Sequence, residues 1–136
     1  MGCNDLLAEH GCWTICSEYE VVFLRRPDRC QIVIGDFYGD PECAVIDIDE
    51  QWCVVAGCGL IVYRMKKPFH PFAYGVVCDQ WAEFGRNNDD IWWVSRLEQT
   101  GPSQVRFTVS EDDRHTGRYE LNVESMDVRR LSENMG

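Results

Sequence analysis

Few histidines, a shortage of basic residues and the absence of any long apolar run set the first limits on this chain. His10, His70 and His115 are the only imidazoles in 136 residues, so acid–base or metal chemistry through histidine has few candidates. Lys and Arg number 13 against 23 Asp and Glu, a formal net charge of −10. A polyanion is repelled by such a surface, which argues against nucleic acid and favours a basic protein partner drawn in by long-range attraction. The Lys66-Lys67 and Arg129-Arg130 pairs are too small to reverse that balance. No stretch approaches the roughly 18 apolar residues of a membrane-spanning helix, so no membrane is expected as partner. Residues 1–5 lack a positive segment leading into an apolar one, and Leu6 stands where a myristoylation signal wants Ser or Thr. The expected compartment is therefore the cytoplasm. A glycine-rich phosphate loop is also missing. Gly57-Cys58-Gly59 has no third glycine and leads into a strand pattern, which excludes the dinucleotide reading.

What the chain does have is cysteine: eight of them. In a reducing compartment most are expected to be free, structural thiols. Cys43, Cys53 and Cys78 sit among apolar neighbours, where a thiol packs as a small hydrophobe. Cys12-x3-Cys16, with His10 beside it, and Cys53-x4-Cys58 both depart from the Cys-x2-Cys spacing typical of structural zinc. No metal or other cofactor is expected. A thiol nucleophile needs a histidine near it in space, and no local signature places one.

The length and a hydrophobic fraction of 45% fit one domain, 1–136, with a core of its own. Asn4 and Gly11 bracket a short predicted helix over Asp5–His10. Strands are predicted over residues 19–24, 31–37, 43–48, 52–56 and 60–64, with Gly39-Asp40-Pro41, Asp49-Glu50-Gln51 and Gly57-Cys58-Gly59 as turns. Residues 66–74 read as a loop. Asp79 reads as the cap of a helical turn that places Trp81 and Phe84 on one face. Residues 85–90 form a polar break. Further strands follow over 91–97, over 105–109, where Val105, Phe107 and Val109 alternate with polar residues, through Tyr119, Leu121 and Val123, and over 125–131. The tail from Ser132 is expected to fray. No internal repeat is visible. About eight short strands of this kind predict a mainly β, possibly α+β, fold: an antiparallel, meander-rich sandwich or barrel with one or two short helices.

Two carboxylate groupings stand out. Asp36 and Asp40 flank Phe37-Tyr38-Gly39, and Asp47, Asp49 and Glu50 gather at a hairpin turn. Close carboxylates serve acid–base work or cation binding. Alternatively, Asp36 and Asp40 set a turn by accepting backbone N–H groups, and the second group decorates a solvated strand face. Acidic residues also concentrate at Glu111, Asp112 and Asp113, with aromatic residues nearby in sequence. Trp92 and Trp93, adjacent on a strand, face opposite sides, so one is core while the other can meet a partner. An acidic rim around aromatic anchors suits a basic protein partner. Asp47, Asp49, Glu50, Glu111, Asp112, Asp113 and Trp93 are the candidate partner-binding residues.

The run Gly35-Asp36-Phe37-Tyr38-Gly39-Asp40-Pro41, followed by Ala44-Val45-Ile46, Trp52, Gly57 and Gly59-Leu60-Ile61-Val62-Tyr63, resembles small immunity proteins of bacterial polymorphic toxin systems. The resemblance implies an acidic cytoplasmic inhibitor that binds a toxin domain and occludes its site, with no catalysis of its own. Two other expectations stand beside it. One is a small hydrolase or metal-dependent enzyme using Asp36 and Asp40 with a Cys or His. The other is an accessory module that oligomerises through an edge strand or apolar face.

Overall fold

The run Trp52-Cys53-Val54-Val55-Ala56 and, after a glycine turn, Leu60-Ile61-Val62-Tyr63 carry scarcely a polar atom beyond the backbone. Strands of that composition can be buried on both faces. The computed structural model, which describes residues 5–87, 90–110 and 115–132, buries them so. They are β6 (Trp52–Gly57) and β7 (Gly59–Arg64), the inner pair of a four-stranded antiparallel sheet with β5 (Cys43–Ile46) and β8 (Trp81–Phe84) outside them. Residues alternate across this sheet. Ile46, Cys53, Val55, Ile61, Tyr63 and Trp81 enter one core, and Trp52, Val54, Ala56, Leu60 and Val62 enter another.

A second sheet closes each core. The first is β1 (Asp5–His10), β2 (Trp13–Glu18), β3 (Val21–Arg25) and β4 (Gln31–Asp36), which contributes Ile15, Val22, Leu24 and Ile34. The last is β11 (Val94–Gly101), β12 (Gln104–Val109), β13 (Gly117–Asn122) and β14 (Asp127–Ser132), which contributes Val94, Val105, Phe107, Val109 and Leu121. A two-stranded ribbon, β9 (Arg86–Asn87) with β10 (Asp90–Ile91), joins the middle sheet to the last. The result is a mainly β, antiparallel stack of three meanders. The outer face of the last sheet carries a cross-strand ladder of alternating charge, Glu98, Arg106, Glu120 and Arg129. Arg129 lies 2.8 Å and Arg106 3.7 Å from the Glu120 carboxylate. A ladder of this kind is content in water and ends the stack.

Several expectations are corrected. The predicted helices are strands, and the described residues contain no helix. Asp5–His10 is β1, paired with the unanticipated β2 around a hairpin in which Gly11 has φ +60. Its glycine is a hairpin glycine, not a helix stop, and pairing satisfies backbone groups that one and a half helical turns would leave open. Trp81–Phe84 is β8, so Trp81 and Phe84 lie on opposite faces, one in each core. The strand predicted over 91–97 breaks at Trp92-Trp93, and the strand predicted from Tyr19 begins at Val21, because Tyr19 (φ +57) and Glu20 turn the chain. Among the described residues six cysteines are free thiols, as expected for most, but the buried Cys16 is disulfide-bonded. The three-fold recurrence of the four-stranded meander has no counterpart in a visible sequence repeat.

Candidate functional site

The loops at one end of the stack build a cleft. The β2–β3 turn supplies Glu20; the end of β4 and the corner after it supply Asp36, Phe37 and Tyr38. The β6–β7 turn supplies Cys58, the loop before β8 supplies Tyr74, and β9 supplies Arg86. The corner is held from a distance in sequence. Phe37 N–H donates to the Glu20 carbonyl at 2.8 Å, and Gly39 N–H donates to the Glu20 carboxylate at 2.8 Å. Neither Asp36 nor Asp40 makes the local turn bond that the sequence suggested. Phe37 and Cys58 are buried and form the floor of a cavity of about 400 Å³. Tyr38 (80% exposed) and Tyr74 (70% exposed) stand at its rim.

Arg86 forms the wall. Its Nη2 donates to the Asp36 carbonyl at 2.6 Å and its Nη1 to the Cys58 carbonyl at 3.3 Å, while Nε pairs with Glu83 at 2.7 Å. Its guanidinium also sits 4.7 Å from the Phe37 ring centre and 6.0 Å from that of Tyr74. Only 10% of this side chain is exposed. Two glycines make the arrangement possible. A Cβ at Gly59, which has φ +82, would collide with Arg86 Cγ, and a Cβ at Gly85 would collide with the Trp92 indole. Gly59 N–H donates to the Trp92 carbonyl at 2.7 Å, and Cys58 bridges Trp93, which ties the cleft to the last sheet. Trp92 stacks on Phe107 and Tyr119 in the second core, while Trp93 is 42% exposed on the other side.

The same end is acidic. The pairing of Asp5 with Ser17 and of Val21 with Asp36 sets Asp5, Glu18 and Asp36 along the edge of the first sheet, and Asp40 and Glu42 follow on the corner leading into β5. The cleft's own cation, Arg86, is already paired with Glu83.

The predicted partner-binding residues fall elsewhere or outside view. β5 runs away from the cleft, so Asp47, Asp49 and Glu50 lie at the opposite end. Asp47 is 1% exposed and is not a surface group. Its carboxylate accepts Gln51 N–H at 3.0 Å and Gln99 Nε2 at 2.8 Å, fastening the β5–β6 turn to the last sheet. Glu50 (φ +60) ties the same turn to the first sheet, accepting Trp13 Nε1 and meeting His10 Nδ1, each at 3.1 Å. Asp49 is exposed, in a groove that also contains Arg64 and Lys66. Trp93 lies at the cleft end, as its bridge to Cys58 requires. Glu111, Asp112 and Asp113 lie outside the described residues; Ser110, just before them, donates its N–H to the Trp93 carbonyl at 2.9 Å.

The groups named for hydrolysis do not converge. Asp36 lines the cleft, Asp40 does not, and no imidazole lines it. Burial pushes the Cys58 thiol up, only partly opposed by Arg86, so it holds its proton and is a weak nucleophile. Among the described residues no three His, Cys, Asp or Glu gather as a metal would need, and no helix is long and apolar enough to cross a membrane. Sequence reasoning missed Glu20, Tyr74 and Arg86. No local signal marks Glu20 or Tyr74; for Arg86 the hint is the glycine at 59, where the structure leaves no room for a Cβ. Fold and site define an antiparallel β protein of three stacked meanders with a tyrosine-rimmed acidic cleft at one end. Comparison with protein families, with curated proteins and with solved structures finds no match for this chain.

Proposed function

We propose that this chain is a non-enzymatic cytoplasmic binding protein that captures a basic protein partner, acting as an immunity protein that neutralises a toxin by covering its site. The observation that carries the reading is the end face itself. Exposed tyrosine rings at Tyr38 and Tyr74 stand beside the Glu20 and Asp36 carboxylates, and more acidic side chains surround them. Tyrosine offers large, rigid, amphipathic contact area at low entropic cost, and a single sign of charge steers an opposite one. The partner-binding surface is thus reassigned from the Asp47 turn to the opposite end, with Trp93 kept.

Capture from a native lysate, followed by assay of the captured protein, tests this. The expected partner is a basic toxin domain whose activity falls in proportion to the bound chain. Its association rate should drop at least about tenfold between low salt and 0.5 M salt, because the Debye length shrinks to a few ångströms. A captured protein whose activity is untouched by the chain, or an association rate indifferent to salt, counts against the reading.

A further inference from the structure

We infer that the cleft between Tyr38 and Tyr74 receives one cationic side chain of the partner protein, an arginine or a lysine, with its stem against the rings and its charged head at Glu20 and Asp36. The inference rests on the proposed binding function and specifies how the partner is anchored. It follows from which charges in the cleft are engaged and which are open.

Arg86 is largely engaged within the chain. Each of its three guanidinium nitrogens donates one bond to a group of this chain, which leaves two of its five N–H groups, Glu83 neutralises its charge, and one of its faces lies against Phe37. The carboxylates are open. Asp36 is exposed and its side chain makes no hydrogen bond among the described residues. Glu20 accepts Gly39 N–H through Oε2, and Oε1 remains available to a donor. With Arg86 balanced by Glu83, the unbalanced charge in the cleft is negative. Ring faces beside carboxylates attract a guanidinium or ammonium group by quadrupole and by charge together. At about 400 Å³ the cleft admits one long side chain, not a helix or a strand. The chain itself illustrates the chemistry, since Arg86 already rests its guanidinium on Phe37 and within 6.0 Å of Tyr74.

The test uses the full chain and three short, otherwise identical peptides carrying a central Arg, Lys or Glu, followed by two-dimensional NMR. The Arg or Lys peptide should shift the Gly39 amide and the Tyr38 and Tyr74 ring signals saturably, and the Glu peptide should not. In the variant combining Asp36→Asn with Tyr74→Ala, affinity for the cationic peptide should fall about tenfold, the size expected from losing one charge-assisted and one ring contact. Ile48→Ala, exposed at the opposite end, should leave it unchanged. Unaltered far-UV spectra would show that both variants fold. Equal binding of the Glu peptide, no saturable shift with either cation, or shifts confined to the other end would overturn the inference. If a basic toxin binds the Asp36→Asn, Tyr74→Ala variant as tightly as the parent, the anchor is wrong and the immunity reading survives. If the cationic peptides bind the cleft while no captured protein is inhibited, the anchor stands and the immunity reading falls.

Discussion

A single absent Cβ at Gly59 decides whether Arg86 can cross the β6–β7 turn. Gly39 offers the matching control, because it shares a left-handed backbone (φ +86) but has nothing within 4 Å of an added Cβ. Gly39→Ala should therefore cost only the conformational penalty, about 1–2 kcal/mol. Gly59→Ala carries that penalty too. It would also press a methyl onto Arg86 Cγ and to 2.7 Å from the Phe84 and Gly85 carbonyl oxygens, neither of which can retreat without breaking the turn. Its loss should exceed that of Gly39→Ala by at least about 1 kcal/mol, read from urea midpoints of the two variants. Equal midpoints would mean the close approach carries no energetic weight. The same scale explains why the acidic residues at 47–50 misled a reading of the sequence. An Asp that scaffolds a turn and an Asp that meets a partner have the same letter. Only the positions of Gln51 and Gln99, four and fifty-two residues away, distinguish them.

The sheets show what a pattern along the chain conveys and what it conceals. β4 to β7 and β12 to β14 were legible because period-2 alternation, or unbroken apolar runs between glycine and proline turns, admit few other structures. β1 resembles a helix in sequence because Asn4 and Gly11 stand where a cap and a stop would, and the bulge between Leu6 and Ala8 is where strand alternation is lost. β8 was read as helical because Trp81 and Phe84 are three apart. Its neighbour β7 decided otherwise by needing an apolar residue on each face, which pairs Tyr63 with Trp81 and Leu60 with Phe84. The cleft was illegible for a different reason: its groups come from five connections that meet only after three sheets have stacked. Because the middle sheet serves both cores, its substitutions should be felt throughout. Ile61→Ala, fully buried against the first sheet, is expected to cost about 2–5 kcal/mol and to shift the unfolding of the whole chain as one transition. Ile48→Ala, 66% exposed, should stay within about 0.5 kcal/mol. Two separated transitions in Ile61→Ala would show the outer sheets to be independent of the middle one.

For the whole molecule, burial of weak acids sets the alkaline limit of stability. Desolvation pushes the Cys43 thiol up to about 11 and the Cys53 thiol higher still, and it raises the Tyr63 phenol, whose hydroxyl donates to the His70 carbonyl at 2.6 Å. In the unfolded chain thiols ionise near pH 9. Above that value the native state therefore keeps protons that the unfolded state loses. A state that binds more protons is weakened as pH rises, so stability from these groups is complete below about pH 8 and declines from pH 9 upward. Each thiol still protonated in the native state contributes a slope approaching about 1.4 kcal/mol per pH unit above its unfolded pKa. The net charge of −10 acts in the same direction, since further ionisation at the surface adds to a compact molecule that already repels itself. Urea midpoints measured from pH 7 to pH 11 should be level at first and then fall. In a Cys43→Ala, Cys53→Ala variant the fall between pH 9 and pH 11 should be markedly shallower, whatever the variant has lost at pH 7. If parent and variant decline in parallel, the alkaline loss belongs to the Tyr63 phenol and to general charge repulsion and not to the Cys43 and Cys53 thiols.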